Sequence, residues 1–123
     1  MNIWFATAAV LSALICGLHV VMGGREAVHP LLAATELSPL TKFTNYYCWH
    51  IVTIVIAGMA VAFAYSAQPA SAMDLALFAT GLAFLFTVWS LGMIARFGLP
   101  LLQFGQWLLF LAVGFLGLIG SLQ

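Results

Sequence analysis

Residues 75–95 read LALFATGLAFLFTVWSLGMIA, a run of 21 residues without a charged side chain. About 20 apolar residues in a helix are enough to cross the hydrocarbon core of a bilayer. This run and three similar ones predict four spans, at about 3–22, 48–67, 74–95 and 99–120. Lipid offers no hydrogen bonds to the backbone, and four spans are too few to close a barrel, so we expect the spans to be α-helices.

The composition of the whole chain excludes a water-soluble domain. Of its 123 residues, 65% are hydrophobic and 5% are charged, and the mean hydropathy is +1.17. Soluble domains carry roughly a quarter of their residues as charged side chains. We therefore predict an all-α integral membrane four-helix bundle, a single transmembrane domain over residues 1–123 with the lipid bilayer around it. A net charge of zero, without a cluster of Lys and Arg, argues against a nucleic-acid partner.

The few charges indicate one orientation in the membrane. Arg25, Lys42 and Arg96 all lie at one end of the predicted spans, whereas the other end has only Asp74. Basic residues concentrate on the cytoplasmic side of membrane proteins. That end is therefore predicted to be cytoplasmic, which places both termini on the non-cytoplasmic side. We expect the membrane to be the bacterial inner (plasma) membrane.

One long connection is predicted, a cytoplasmic-side loop over residues 23–45. It begins at Gly23-Gly24, which are typical of a break between helices. Within it, Ser38 followed by Pro39 is typical of a helix N-terminus, since the hydroxyl caps the first turn and proline suits the first helical position. The second helix can therefore begin at Pro39, ahead of the apolar run.

Small and polar residues predict which face of each helix lies inside the bundle, because such residues let helices approach closely in a membrane. These interior stripes comprise Ala9, Ser12, Cys16, His19 and Gly23 in the first span; Tyr46, His50, Thr53, Ala57, Ala60, Ala64 and Ala67 in the second; Ala76, Thr80, Ala83, Thr87 and Ser90 in the third; and Gln103, Gln106, Phe110, Val113, Gly117 and Gly120 in the fourth.

Two histidines are the candidate functional residues, because an imidazole inside a membrane needs a partner. His19 and His50 lie near the cytoplasmic ends of the first two spans, at similar depth. One prediction is a haem b with both imidazoles as axial ligands and with Arg25 and Arg96 near the propionates. Another is a transition-metal ion with both imidazoles and Cys16 as ligands. The alternative is that each imidazole only hydrogen-bonds a neighbouring helix.

Three functions follow from these observations. The first is a haem- or metal-binding component of a membrane redox assembly, with electron transfer as its role. The second is a non-catalytic accessory subunit that packs against a larger membrane complex. The third is an oligomer that conducts a small solute or protons. Whether the chain is an enzyme stays open, although it lacks phosphate loops, nucleophile elbows and paired carboxylates, so catalysis by the chain alone is not expected.

Overall fold

The computed structural model describes residues 1–69 and 72–123, and these are helical without a strand. The elements are α1 (Ile3–Leu18), a π-helical segment (His19–Val28), α2 (His29–Ala33), α3 (Pro39–Ser66), α4 (Met73–Phe97) and α5 (Gln106–Ser121). The first three are continuous, so three helices are long and apolar enough to cross a membrane: Ile3–Ala33, Pro39–Ser66 and Met73–Phe97. A shorter apolar helix, α5, completes the four.

The predicted loop over residues 23–45 is wrong for most of its length. The chain stays helical through Gly23-Gly24, because the π-helical segment carries it into α2, and only residues 34–38 lie outside helices. The alternative start of the second helix is confirmed, since the Ser38 hydroxyl accepts a hydrogen bond from the Thr41 N–H at 3.1 Å. The apolar run thus marks only part of a longer helix.

The fourth helix begins later than the predicted residue 99. Gly98 ends α4 in the left-handed conformation, with φ of 63°, and residues 101–105 form turns before α5 starts at Gln106. Proline at position 100 cannot continue a helix from α4, because it lacks the N–H that the helix would use. Residues 99–105, which are mostly apolar, therefore lie in the connection.

The four helices pack in a ring. α1 contacts α3 and α5, and α4 contacts the same two helices. Large side chains at the centre are almost fully buried, among them Phe5, Ile56, Phe63 and Val113. Successive helices alternate in direction, which brings both termini to one end and the three basic residues to the other. We call the latter the basic end.

Glycines on α5 allow its close contact with the large side chains. A Cβ at Gly114 would lie 2.9 Å from Phe84, and one at Gly120 would lie 2.6 Å from Phe5. A Cβ at Gly117 would overlap the Thr80 hydroxyl. The interior stripe predicted for α4 is confirmed along its length, and so are Phe110, Val113, Gly117 and Gly120 on α5, whereas Gln103 and Gln106 are exposed.

The interior stripe predicted for α3 is wrong at three positions, His50, Ala57 and Ala64, and is buried or partly buried at the other four, Tyr46, Thr53, Ala60 and Ala67. The helix buries Ile56, Met59 and Phe63, whereas Ala57 and Ala64 are exposed. The small residues of α4 and α5 leave room between the helices, and this room is filled by the large side chains of α3. His50, Ala57 and Ala64 thereby lie on the outside of the bundle.

Asn2 connects three helices at the end that carries the termini. Its Oδ1 accepts hydrogen bonds from the N–H groups of Trp4 and Phe5, at 3.1 and 3.2 Å, which caps α1. Its Nδ2 donates to the Gly120 carbonyl at 2.7 Å, and its backbone N–H donates to the Ala67 carbonyl at 2.9 Å. The side chain and the backbone N–H of this one residue thus help to hold α1, α3 and α5 in register.

Candidate functional site

The centre of the candidate site is a stack of His19 on Trp49. The ring centroids are 4.6 Å apart and the ring planes are inclined by 19°. His19 opens the π-helical segment, and its Nε2 lies 3.4 Å from the Trp49 carbonyl oxygen. Gly23 adjoins the same pair, because a Cβ there would lie 3.6 Å from Trp49 Nε1 and 3.8 Å from His19 Nδ1. Both stacked rings are partly buried.

Two further rings extend this contact along α3. The Trp49 indole meets the His50 imidazole edge to face, with centroids 5.0 Å apart and planes at 81°. His50 in turn meets Tyr46 at 4.5 Å and 75°. The four residues His19, Trp49, His50 and Tyr46 are called the ring row below. His50 is exposed, which differs from the prediction that it lies inside the bundle.

Hydrogen bonds near the ring row fix the register of α1 against α3. The Cys16 thiol lies 3.8 Å from the Thr53 carbonyl oxygen, to which it donates. One turn further along, His19 faces the Trp49 carbonyl, which also accepts a hydrogen bond from the Thr53 hydroxyl at 3.2 Å. Weak sulfur and imidazole contacts at successive turns thus align the two antiparallel helices at this level.

The structure does not assemble the predicted metal ligands. In the described parts, residues 1–69 and 72–123, no group of three or more His, Cys, Asp or Glu side chains is placed to hold a metal ion. The Cys16 thiol points to the backbone of α3, and His19 and His50 contact the same indole. This arrangement gives no support to Cys16, His19 and His50 as a three-ligand set.

Haem binding by the two histidines stays a prediction. A haem held between the two imidazoles would have to displace Trp49 from at least one of them, since the indole contacts both. The predicted propionate partners are exposed residues at the basic end. Of these, Arg25 lies in the π-helical segment and Arg96 lies 5.4 Å from the Phe97 ring centroid.

A groove between α1 and α3 lies beside the ring row. Its volume is about 420 Å³, and its lining includes Ala13, Cys16, Gly17, Val20, Ala57 and Ala60. A Cβ at Gly17 would meet nothing within 4 Å, so the groove is open there. This groove was not predicted from the sequence, because the interior stripe predicted for α3 includes Ala57 and Ala60.

Comparisons with known proteins add no family to this description. No protein-family model matches the chain, and neither the curated proteins nor the solved structures include a significant match to it. The possible chemistry of the site therefore follows from its own groups, which are two imidazoles, an indole and a phenol in continuous contact.

Proposed function

We propose that the chain is an integral membrane protein that spans the bilayer four times, with both termini on the non-cytoplasmic side. Three helices have the length and composition of membrane spans, and α5 is a shorter apolar helix. The basic end carries Arg25, Lys42 and Arg96, which favours a cytoplasmic location for it. A bacterial inner membrane is the location that we propose.

This placement puts the ring row just inside the cytoplasmic boundary of the membrane. His50 lies 16 residues before Ser66, the last residue of α3. At 1.5 Å per residue the separation is about 24 Å, which is less than the roughly 30 Å of the hydrocarbon core. An exposed imidazole at this depth faces lipid, and a polar group without a partner there costs several kcal/mol. Binding of a polar group from the bilayer would remove that cost.

We propose that the ring row binds the planar, polar head of a lipid-soluble redox ligand of the quinone class. An imidazole can donate a hydrogen bond to a quinone carbonyl oxygen, and aromatic rings such as Trp49 and Tyr46 offer stacking surfaces. Because His50 is exposed, a ligand can reach it from the bilayer without an opening of the bundle. The observation that carries the proposal is this exposed imidazole held in contact with two aromatic rings.

In this function the chain would serve a membrane redox assembly by holding an electron carrier. The ligand supplies the redox chemistry, and the protein residues bind and orient its head. Haem b is the other ligand that the histidines could hold, and it would be recognised by its visible absorption in the purified protein.

The proposal can be tested by fluorescence in lipid nanodiscs. A benzoquinone with a single isoprene unit is titrated into the protein, and quenching of tryptophan emission is followed. We expect saturable quenching that is carried mainly by Trp49, one of four tryptophans, and is reduced by Trp49→Phe. In His50→Ala the affinity should fall about tenfold, which corresponds to about 1.4 kcal/mol.

His29→Ala is the matched control, because His29 is an exposed histidine of α2 outside the ring row. It should bind the quinone as the wild type does. Quenching that does not saturate, or that is equal in wild type and His50→Ala, would contradict quinone binding at the ring row.

A second candidate function is an accessory subunit that packs against another membrane protein. The outward stripe of α3 favours it, since exposed alanines such as Ala57 and Ala64 suit close contact between helices in lipid. Crosslinking in native membranes followed by purification tests this function. A stoichiometric partner, or a second copy of the chain, is the expected result, and an uncrosslinked monomer would argue against it.

A further inference from the structure

We infer that the ring row recognises a quinone head by both of its carbonyl oxygens, with the His50 imidazole donating to one oxygen and the Tyr46 phenol donating to the other. This inference rests on the proposed function and narrows its ligand to planar heads with an oxygen at each end of the ring. Tyr46 is then the residue that determines specificity, because its hydroxyl distinguishes a head with two oxygens from a head with one.

Tyr46 and His50 carry polar groups that the protein leaves free. Within residues 1–69 and 72–123, neither the Tyr46 hydroxyl nor a ring nitrogen of His50 has a hydrogen bond to another residue. Neighbouring polar side chains on α3 differ, since Asn45 and Thr53 donate to backbone carbonyls one turn before them, at 2.8 and 3.2 Å. The two free groups of the ring row are therefore available to an external acceptor.

The two free groups lie one helical turn apart on one face of α3. Residues four apart on a helix are neighbours, and these two rings meet with centroids 4.5 Å apart and planes at 75°. Helical side chains lean toward the N-terminus of their helix, so the Tyr46 hydroxyl, at the end of the longer side chain, is directed away from His50. A planar ring with an oxygen at each end can therefore lie across the pair and meet one donor at each oxygen.

The depth of the two residues suits a head that arrives from the bilayer. Tyr46 lies 20 residues before Ser66, and at 1.5 Å per residue the separation is about 30 Å, the thickness of the hydrocarbon core. His50 lies one turn, about 5.4 Å, further in. A head bonded to both residues thus has one oxygen at the boundary and the other inside the hydrocarbon core.

A tyrosine at this level is also typical of the aromatic belt of membrane proteins, in which it only anchors the helix at the boundary. The two roles differ in what the hydroxyl does for binding. A site that donates to a ligand oxygen disfavours an analogue without that oxygen, because the donor is left unpaired. Water and headgroups can still reach a donor at the boundary, so we expect a loss of about tenfold for the single oxygen.

Two neighbouring tyrosines provide a matched test. Tyr46→Phe keeps the ring that contacts His50 and removes only the hydroxyl, whereas Tyr47→Phe makes the same change at an exposed residue outside the ring row. The first probe is the one-isoprene benzoquinone. The second is a cyclohexadienone with the same isoprene unit, in which two methyl groups replace the second carbonyl oxygen. In nanodiscs, quinone affinity is measured by tryptophan quenching and dienone affinity by competition with the quinone.

The expected result is an affinity ratio of quinone to dienone of about ten in wild type and Tyr47→Phe, falling to about one in Tyr46→Phe. The fall should come from weaker quinone binding, with the dienone affinity unchanged within about twofold. A ratio that stays at ten in Tyr46→Phe, or an equal loss for both probes, would overturn the contact between the phenol and the second oxygen while leaving quinone binding at the ring row intact. Failure of the quinone to bind the wild type would overturn the proposed function itself.

Discussion

The imidazole of His19 lies face to face with the indole of Trp49, with centroids 4.6 Å apart, at the point where α1 passes into the π-helical segment. The contact joins two antiparallel helices near the basic end. π-helical turns are rare in proteins, and those that occur are often found at functional sites. The Trp49 indole therefore contacts both His19, at the start of the π-helical segment, and the exposed imidazole of His50.

Two replacements of His19 distinguish the contribution of its ring stacking to stability from the contribution of its hydrogen bond. We expect His19→Ala to lower the free energy of unfolding by about 1 kcal/mol, because an aromatic contact of this kind contributes about 0.5–1.5 kcal/mol. His19→Phe should keep most of that stability, since it retains the ring and loses only the long contact of Nε2 with the Trp49 carbonyl. Unfolding in mixed SDS and maltoside micelles measures both, and equal losses in the two variants would show that stacking contributes little.

The contact between Gly117 and Thr80 should be sensitive to a single methyl group. Gly117→Ala places a Cβ onto the Thr80 hydroxyl, and overpacking of this kind costs about 1–3 kcal/mol. Gly81→Ala, at an open position, should be neutral or stabilising by up to about 1 kcal/mol. The double variant Gly117→Ala with Thr80→Ala should recover part of the loss. Additive losses would mean that the two residues do not interact.

Two variants of Asn2 distinguish its roles at the end that carries the termini. Asn2→Ala removes the cap of α1 and the bond to Gly120, and it should cost about 1–2 kcal/mol. Asn2→Asp keeps an oxygen that accepts from Trp4 and Phe5 but loses the donor to Gly120. An intermediate unfolding midpoint is expected for Asn2→Asp. A midpoint equal to that of the wild type would contradict a contribution of the bond to Gly120.

Removal of the Ser12 hydroxyl should stabilise the protein or leave its stability unchanged. Ser12 is 1% exposed, and its Oγ has no hydrogen-bond partner within residues 1–69 and 72–123. A buried hydroxyl without a partner is unfavourable by about 1–3 kcal/mol, while alanine fits the same space. The unfolding midpoint of Ser12→Ala should equal or exceed that of the wild type, and a clear decrease would reveal a partner for this hydroxyl, such as a bound water.

Much of the helical architecture could be predicted from the sequence, because apolar length alone identifies candidate membrane spans. The inner face of α4 was also predictable, since Ala76, Thr80 and Ala83 are small and the neighbouring helices supply the bulk. The continuation of the helix through Gly23-Gly24 was not predictable, because a glycine pair is typical of a break between helices and yet lies here within a π-helical segment.

The face of α3 could not be predicted because it depends on complementary volumes. Small residues line the contact in membrane helices, but two small faces cannot both fill a core. Here Gly117 of α5 receives Phe63 of α3, and Ala57 and Ala64 of α3 are left outside. His50 lies on the same outward side of α3 and is therefore exposed as well. The stacking of Trp49 on His19 could not be predicted either, because it depends on a contact between two helices.

Photolabelling tests quinone binding at the ring row most directly. An azidoquinone with a short tail is bound to the protein in nanodiscs and activated by light, and the labelled residues are mapped by mass spectrometry. Labelling should concentrate on α3 between Tyr46 and Ala57, decrease with excess unlabelled quinone, and be strongly reduced in His50→Ala but not in His29→Ala. Labelling spread evenly over the lipid-facing residues of all four helices, or unchanged by the competitor, would contradict a binding site at the ring row.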